Sequence, residues 1–289
     1  MFKNFDLKSI EVNGVNINYR IGGKGYPLLL LHGYPQSHIL WREMAPLFAK
    51  NYTVVCSDLR GYGDSDKPKS DKKHFTYSKK NMAKDQYELM KKLGFDKFCL
   101  VGHDRGGRVA HRMAIDYPDS ITKISVLDIV PTSHVFENTN AILARRYYHW
   151  FFLIQPYPYP ETLIGNDPEY YIKSKLQMWG SNSNYLTDDI IKEYIRCFSP
   201  EAIHASCEDY RAGANIDLIH HKEDFDKKII CPLLVLWGKT GTVEELYKPI
   251  KVWKEWANNV EGHSINCGHF LPEEKPLETY EAIINFLNK

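Results

Sequence analysis

The segment Gly102-His103-Asp104-Arg105-Gly106-Gly107-Arg108 follows the apolar run Phe98 to Val101 and opens a helical pattern. A strand, then Gly-x-Asp-x-Gly, then a helix has the form of a nucleophile elbow. Small residues on both sides let a strained turn lift one side chain above a sheet. Here that side chain is a carboxylate. Ionised at neutral pH without any base, Asp104 can attack a saturated carbon in line, displace a leaving group and become an alkyl ester. Water must then cleave that ester at the Asp104 carbonyl, which calls for a base and for donors to the oxyanion. The competing role for Asp104 is to cap the helix N-terminus.

His269, in Asn266-Cys267-Gly268-His269-Phe270 after the last strand candidate, is the natural base; its alternative is a packing or surface histidine near a chain end. The backbone N–H groups of Tyr34, in His32-Gly33-Tyr34-Pro35, and of Arg105 are expected to form the oxyanion hole, since Pro35 has no N–H to offer. The loop Trp237 to Glu244 contains no Asp. Asp128, at the end of the run Ile124 to Leu127, is therefore chosen to orient His269, because the C-terminal ends of parallel strands face the ligand. Glu244 is the reserve. Arg105 and Arg108 fall in the first helical turn, where cations oppose the macrodipole, and their spacing puts them on one face. Two guanidinium groups beside the nucleophile can fork a substrate carboxylate. Pairing with a protein acid is the alternative for each, and it weighs more on Arg108 than on Arg105.

The elements that must hold these groups are legible as short apolar runs separated by helix-length segments. Ile10 to Val12 and Val15 to Tyr19, around the turn dipeptide Asn13-Gly14, predict an antiparallel hairpin. Pro27 to Leu31, Tyr52 to Cys56, Phe98 to Val101, Ile124 to Leu127 and Pro232 to Leu236 read as strands covered on both faces, with His263 to Asn266 as a last candidate. Segments such as Ser78 to Leu93 are long enough for crossover helices. The rhythm breaks between about Pro131 and Ala214, a stretch crowded with aromatics and interrupted by Pro156, Pro158 and Pro160. The expected fold is thus α/β: a mostly parallel eight-stranded sheet with helices on both faces. Its core is 1–131 and 215–289, and a helical cap is inserted at 132–214.

The 289 residues carry 37 Lys and Arg against 36 Asp and Glu, a formal charge of +1 that gives no general pull toward nucleic acid or anionic membrane. No apolar run approaches a membrane span and the N-terminal residues lack a signal-peptide pattern, so a cytoplasmic protein is expected. Six scattered cysteines without a Cys-x-x-Cys pair read as reduced core thiols. His220-His221 with Glu223 and Asp224 lacks a metal-ligand spacing, and Gly22-Gly23-Lys24-Gly25 lacks the Walker spacing. Neither metal nor cofactor is expected.

The order of these motifs is that of the α/β-hydrolase fold. Gly-His-Asp-Arg-Gly-Gly-Arg at 102–108, Leu-Asp-Ile-Val-Pro-Thr at 127–132, His-Trp-Phe-Phe-Leu-Ile-Gln-Pro at 149–156, Glu-Asp-Tyr-Arg-Ala at 208–212 and Cys-Gly-His-Phe-Leu-Pro-Glu-Glu at 267–274 together resemble the fluoroacetate (haloacetate) dehalogenases. The resemblance spans core and cap. It implies Asp104 as nucleophile, His269 as base, Asp128 as its partner, and Arg105 and Arg108 as the clamp on the carboxylate of a small 2-haloacid. His149, Trp150 and Tyr210 are implied to hold the leaving halide. An imidazole N–H, an indole N–H and a phenol O–H are suitable donors for fluoride; without the resemblance, His149 and Trp150 read as aromatic packing. Enzymes of this kind are often homodimers, which composition does not decide.

Two other readings stay open. A soluble epoxide hydrolase shares the Asp and His and needs two cap tyrosines, which Tyr210 with Tyr147 or Tyr148 would supply; a neutral epoxide, like the uncharged substrates of haloalkane dehalogenases, gains nothing from two arginines. A non-catalytic small-ligand receptor on the same scaffold would usually have lost a member of the triad, and all three are present.

Overall fold

Strands that are apolar on both faces must be covered on both faces, and the computed structural model, which describes residues 2–289, has that architecture. Strands β1 (Phe5–Val12), β2 (Val15–Gly22), β3 (Tyr26–Leu31), β4 (Tyr52–Ser57), β5 (Phe98–His103), β6 (Ile121–Leu127), β7 (Leu233–Gly238) and β8 (Val260–Ile265) form one sheet. Its order is β1-β2-β4-β3-β5-β6-β7-β8. Leu28 to Leu31, Val54 to Cys56, Leu100, Val101, Val126, Val235 and Leu236 lie in its fully buried interior. The crossover helix expected at Ser78 to Leu93 spans Lys79–Lys92, and the Ser78 hydroxyl caps it by accepting the Asn81 N–H.

The structure departs from the sequence reading at strand ends and pairings. Two antiparallel pairs are present rather than one, because the last four residues of β2, paired with β1 on one edge, pair on the other with β4, from Tyr19 opposite Ser57 to Gly22 opposite Val54. β6 begins at Ile121, earlier than its apolar run. The polar Lys123 belongs in the strand because its ammonium reaches the carbonyls of Phe286 (3.2 Å) and Leu287 (2.8 Å) at the end of the helix Pro276–Leu287. β8 lies three residues ahead of its expected start, in half-buried residues of an edge strand where hydropathy is a weak guide. All six cysteines are free, but Cys197 and Cys231 are only partly buried and so are not core thiols.

Parallel register brings the chemistry to one edge. Leu31 stands opposite Gly102, His103 opposite Leu127, Leu127 opposite Leu236, and Gly238 opposite Ile265. The residues that follow each strand therefore meet at one end of the sheet. The ladder extends one step beyond the strands: the Asp104 N–H donates to the Leu127 carbonyl (3.1 Å) and the Asp128 N–H to that of Leu236 (2.8 Å). β3 is flanked by β4 and β5, so the direction of winding reverses between β3 and β5, which opens a crevice there.

Between β6 and β7 the helices Thr132–Glu137, Ala141–Arg146, Tyr148–Leu153, Tyr159–Gly165, Pro168–Trp179, Asp188–Arg196, Pro200–Ala214 and Ile216–Glu223 follow one another without a strand. Several side chains fasten them to the loops at the sheet's C-terminal edge. Arg196 makes a two-pronged pair with Asp64, Tyr62 donates its O–H to Asp209 (2.7 Å), and Gln36 donates to the Tyr194 hydroxyl (3.1 Å). No helix among the described residues is long and apolar enough to cross a membrane.

The helix Arg105–Asp116 approaches β3 so closely that a Cβ on Gly106 would lie 2.3 Å from the His32 carbonyl oxygen and 2.6 Å from that of Leu31. Backbone on both sides leaves no flexible group to give way. Gly106→Ala is expected to destabilise the fold by about 1–3 kcal/mol, read as a drop in thermal midpoint with activity falling alongside.

Candidate active site

Asp104 sits at the turn between β5 and the helix Arg105–Asp116 with φ +45° and ψ −116°, a left-handed conformation that costs a non-glycine residue energy. It does not cap the helix: its side chain accepts no N–H from the first turn. One carboxylate oxygen instead accepts the Tyr34 backbone N–H at 3.0 Å. Glycine is required at 33, since a Cβ there would lie 2.5 Å from the Asp104 Cβ. Burial raises the Asp104 pKa, but the fields of His269, Arg108 and Arg105 outweigh it and hold the carboxyl below its usual range. The Asp104 carboxylate is thus kept ionised while buried.

His269 Nδ1 lies 2.5 Å from Asp128 Oδ2, and Asp128 Oδ1 accepts the Gly238 N–H at 2.9 Å. Asp128 adopts φ +54°, a conformation that short polar side chains tolerate best. The reserve Glu244 is engaged elsewhere, accepting the indole N–H of Trp237. Burial lowers the His269 pKa, but the Asp128 hydrogen bond and charge, with Asp104 and Glu274, more than reverse it and raise it above the ordinary value. Three further groups brace the backbone that carries the imidazole. The Trp179 carbonyl accepts the His269 backbone N–H (2.9 Å), His103 Nε2 lies 2.8 Å from the His269 carbonyl, and Glu274 accepts the backbone N–H groups of Gly268 (3.0 Å) and Phe270 (2.9 Å) on either side. Burial first, then the field of His269, pushes the His103 pKa down to about 3, so this ring is a neutral donor.

The two arginines divide, and in the order opposite to that expected. Arg105 meets a protein acid: Nε and Nη2 fork Asp209 at 2.8 and 2.6 Å, and Nη2 also donates to the Asp209 carbonyl at 2.8 Å. Asp209 receives Lys79 and the Tyr62 O–H as well. Arg108 makes no ion pair among the described residues. Its Nη1 donates to the Val130 carbonyl (2.9 Å) and the Thr132 hydroxyl (3.0 Å), its Nε is buried without a partner, and its guanidinium lies 4.6 Å from the Trp150 ring centre. Burial and Arg105 lower its pKa while Asp104 opposes them.

Asp104, Asp128, His149, Trp150, Trp179 and His269 contribute to the wall of a cavity of about 240 Å³, together with Tyr147 and a mouth that includes Arg145 and Thr240. Arg105, Arg108 and Tyr210 form the layer behind that wall. The Tyr210 ring is 5.7 Å from His149, 5.9 Å from Trp150 and 5.4 Å from Tyr34, and Arg105 stacks on it at 4.2 Å. His149 Nδ1 is buried without a partner. Burial first, then Lys175, drives the His149 pKa well down, so the ring is neutral. Of the two tyrosines considered beside Tyr210, Tyr147 faces the cavity, whereas Tyr148 is 41% exposed and receives the ammonium of Lys175.

Sequence reasoning did not find Asp209, Lys79, Glu274, Trp179 or Lys175. Asp209 and Glu274 stand inside quoted motifs, so proximity to Tyr210 and His269 was the available signal; Lys79 and Lys175 carry none, because a lysine on a helix reads as solvated. Replacing Asp209 by Asn leaves Arg105 as a buried cation without a counter-charge and Lys79 with Asp217 alone, 3.6 Å away. It is expected to cost about 3–5 kcal/mol, measurable by denaturant unfolding.

The architecture and its motifs agree with the comparisons. A family model described as the alpha/beta hydrolase fold matches residues 26–276. A fluoroacetate dehalogenase of Burkholderia sp is 45% identical over 290 residues, covering 100% of this chain and 95% of that protein. A soluble epoxide hydrolase of Corynebacterium sp. (strain C12) is 36% identical over 280 residues, 95% of this chain and 94% of that protein. The crystal structure of a protein from Nostoc sp PCC 7120 described as an alpha/beta hydrolase superposes with a TM-score of 0.98 at 53% identity, covering 99% of both chains. This chain belongs to the α/β-hydrolase superfamily and, within it, to the fluoroacetate dehalogenase family.

Proposed function

We propose that this protein hydrolyses haloacetates, fluoroacetate or chloroacetate, to glycolate and halide through an ester on Asp104. Arg108 carries the reading: a buried guanidinium whose field reaches Asp104, with no acid of its own. A buried cation of this kind is a receptor for an anion. A carboxylate seated there would leave its α-carbon beside the nucleophile, with Arg105, fixed on Asp209, adding field to the same side. Because Arg108 and Tyr210 stand behind the cavity wall, seating the anion calls for a small side-chain shift around Trp150.

In the first step an Asp104 oxygen attacks the α-carbon and the carbon–halogen electron pair leaves with the halide. His149, Trp150 and Tyr210 donate to it from a site that water scarcely reaches. In the second step water attacks the Asp104 carbonyl carbon and gives its proton to His269. The oxyanion then accepts from Tyr34 N–H, which already faces a carboxylate oxygen, and from Arg105 N–H, which as the first helical residue has no partner within the helix. Collapse expels glycolate, which takes that proton back; Asp104 keeps one oxygen from water and releases the second water proton to solvent as it returns to the carboxylate. The Asp104 charge is one of the causes that raise the His269 pKa; esterification removes it and makes the imidazole a readier base for the second step.

Epoxide hydrolysis is the second reading. It is favoured by Tyr147 in the cavity wall with Tyr210 behind it, and by the Corynebacterium relative. Ion-selective measurement of fluoride and chloride from the two haloacetates, beside diol formation from styrene oxide, tests the choice. Haloacetate turnover with little diol supports the proposal, and the reverse ranking overturns it. Arg108→Met is expected to raise KM for haloacetates by about 10–100-fold, the scale of one lost charge-assisted pair, while leaving any epoxide turnover nearly unchanged.

Asp104→Asn is expected to lower turnover by more than about 10³-fold. In His269→Asn, intact-mass spectrometry after quenching should show the carboxymethyl ester accumulating on Asp104. Lowering the pH in the wild type should produce the same build-up, because His269 must be neutral to accept a proton, and Asp128 still raises the midpoint after esterification has removed the Asp104 contribution. Asp128→Asn removes the largest raising cause, so that midpoint should move down. Steady release of glycolate by His269→Asn at the wild-type rate would refute the base assignment.

A further inference from the structure

Lys175, on the helix Pro168–Trp179, is a buried cation that the proposed chemistry leaves unused; the side chain is 1% exposed. Among the described residues no carboxylate pairs with it. Its ammonium donates to the Tyr148 hydroxyl and lies 4.1 Å from the Tyr148 ring centre, 4.9 Å from that of Tyr171 and 5.5 Å from that of Trp179. Aromatic faces attract a cation through their quadrupole but carry no net charge. A carboxylate in their place would have cancelled the field of the ammonium beyond a few ångströms, and these rings do not.

Trp179 is the layer between this cation and the cavity. Its ring centre is 4.5 Å from that of His149, and both side chains line the wall. The ammonium therefore lies no farther than about 10 Å from the His149 ring, across packed aromatics where dissolved salt does not screen it. Its field reaches the site: after burial it is the next cause of the depressed His149 pKa. Burial pushes the Lys175 pKa itself down to about 8, which leaves it charged at neutral pH.

We infer that Lys175 is a positioning residue for the leaving group, an ammonium held on aromatic faces so that its uncancelled charge stabilises the halide departing into the His149 pocket. This rests on the dehalogenase reading. Neutral His149 supplies a directional N–H, and Lys175 supplies the positive potential that a neutral imidazole lacks. Fluoride has the most concentrated charge and is the poorest leaving group, so its departure depends most on that potential; bromide departs with little assistance.

The test compares wild type, Lys175→Met and Lys175→Arg for fluoride release from fluoroacetate and bromide release from bromoacetate. Met fills the cage without charge and Arg restores the charge. Lys175→Met is expected to lower kcat for fluoroacetate about tenfold, the scale of one elementary charge at about 10 Å in a protein interior. Bromoacetate turnover should fall less than about threefold, KM for both should hardly change, and Lys175→Arg should recover most of the fluoride rate. Equal losses on both substrates, or no loss on fluoroacetate, would overturn the role of Lys175. Bromide turnover by the Met variant also serves as the check that it is folded. Wild-type protein that releases neither halide would overturn the dehalogenase reading itself, which separates the two failures.

Discussion

Burying an ionised carboxylate costs several kcal/mol unless positive charge or donors are arranged around it, and Asp104 is both buried and held below the usual carboxyl range. The groups around the site can be understood as answers to that constraint. The Tyr34 N–H donates to one oxygen, while His269, Arg108 and Arg105 supply the field. The turn that presents Asp104 needs glycines at 33 and 106 because backbone and carboxylate approach within contact there. Charge and backbone geometry are therefore parts of one arrangement.

The cations around the site are not equivalent. Arg105 is neutralised by Asp209, which Lys79 and Tyr62 also engage. That pairing fixes the guanidinium against the Tyr210 ring and carries the first turn of the helix, where an arginine opposes the macrodipole. Arg108 and Lys175 have no acid and are held by carbonyl and hydroxyl oxygens and aromatic faces. One lies on the side of the helix behind Trp150 and the other behind Trp179, so two buried, uncancelled positive charges lie behind the cavity wall. A site so arranged favours an anion that arrives and a second anion that departs, which is the charge pattern of a haloacid losing halide.

The histidines show how burial sorts a single residue type into different roles. His32 accepts the Leu59 N–H on Nε2 and so places its proton on Nδ1, toward the Gly33 carbonyl. His103 and His149 are driven neutral by burial, and His269 alone of this group is raised, because Asp128 reaches its Nδ1. The distinction comes from neighbours contributed by segments distant in the chain, Asp128 for His269 and Lys175 for His149.

Local chemistry determined much of this molecule from the sequence. Apolar runs flanked by turn residues located the strands, and the Gly-x-Asp-x-Gly turn between a strand and a helix identified Asp104. Position after successive strands was enough to propose Tyr34, Asp128 and His269 for one edge, since parallel strands align their C-terminal ends. Strand limits were less legible where a polar residue such as Lys123 enters the sheet to cap a distant helix, or where the edge strand β8 lacks a buried face. The sequence could not say which arginine has an acid. Asp209 is 104 residues from Arg105, and only the docking of the helix Pro200–Ala214 onto the elbow brings them together. The same holds for Lys175, whose burial depends on three rings from two cap helices closing over it. Spacing along a chain records which side chains share a strand or a helix face; which charges are cancelled is settled by contacts between elements, and those exist only once the elements pack.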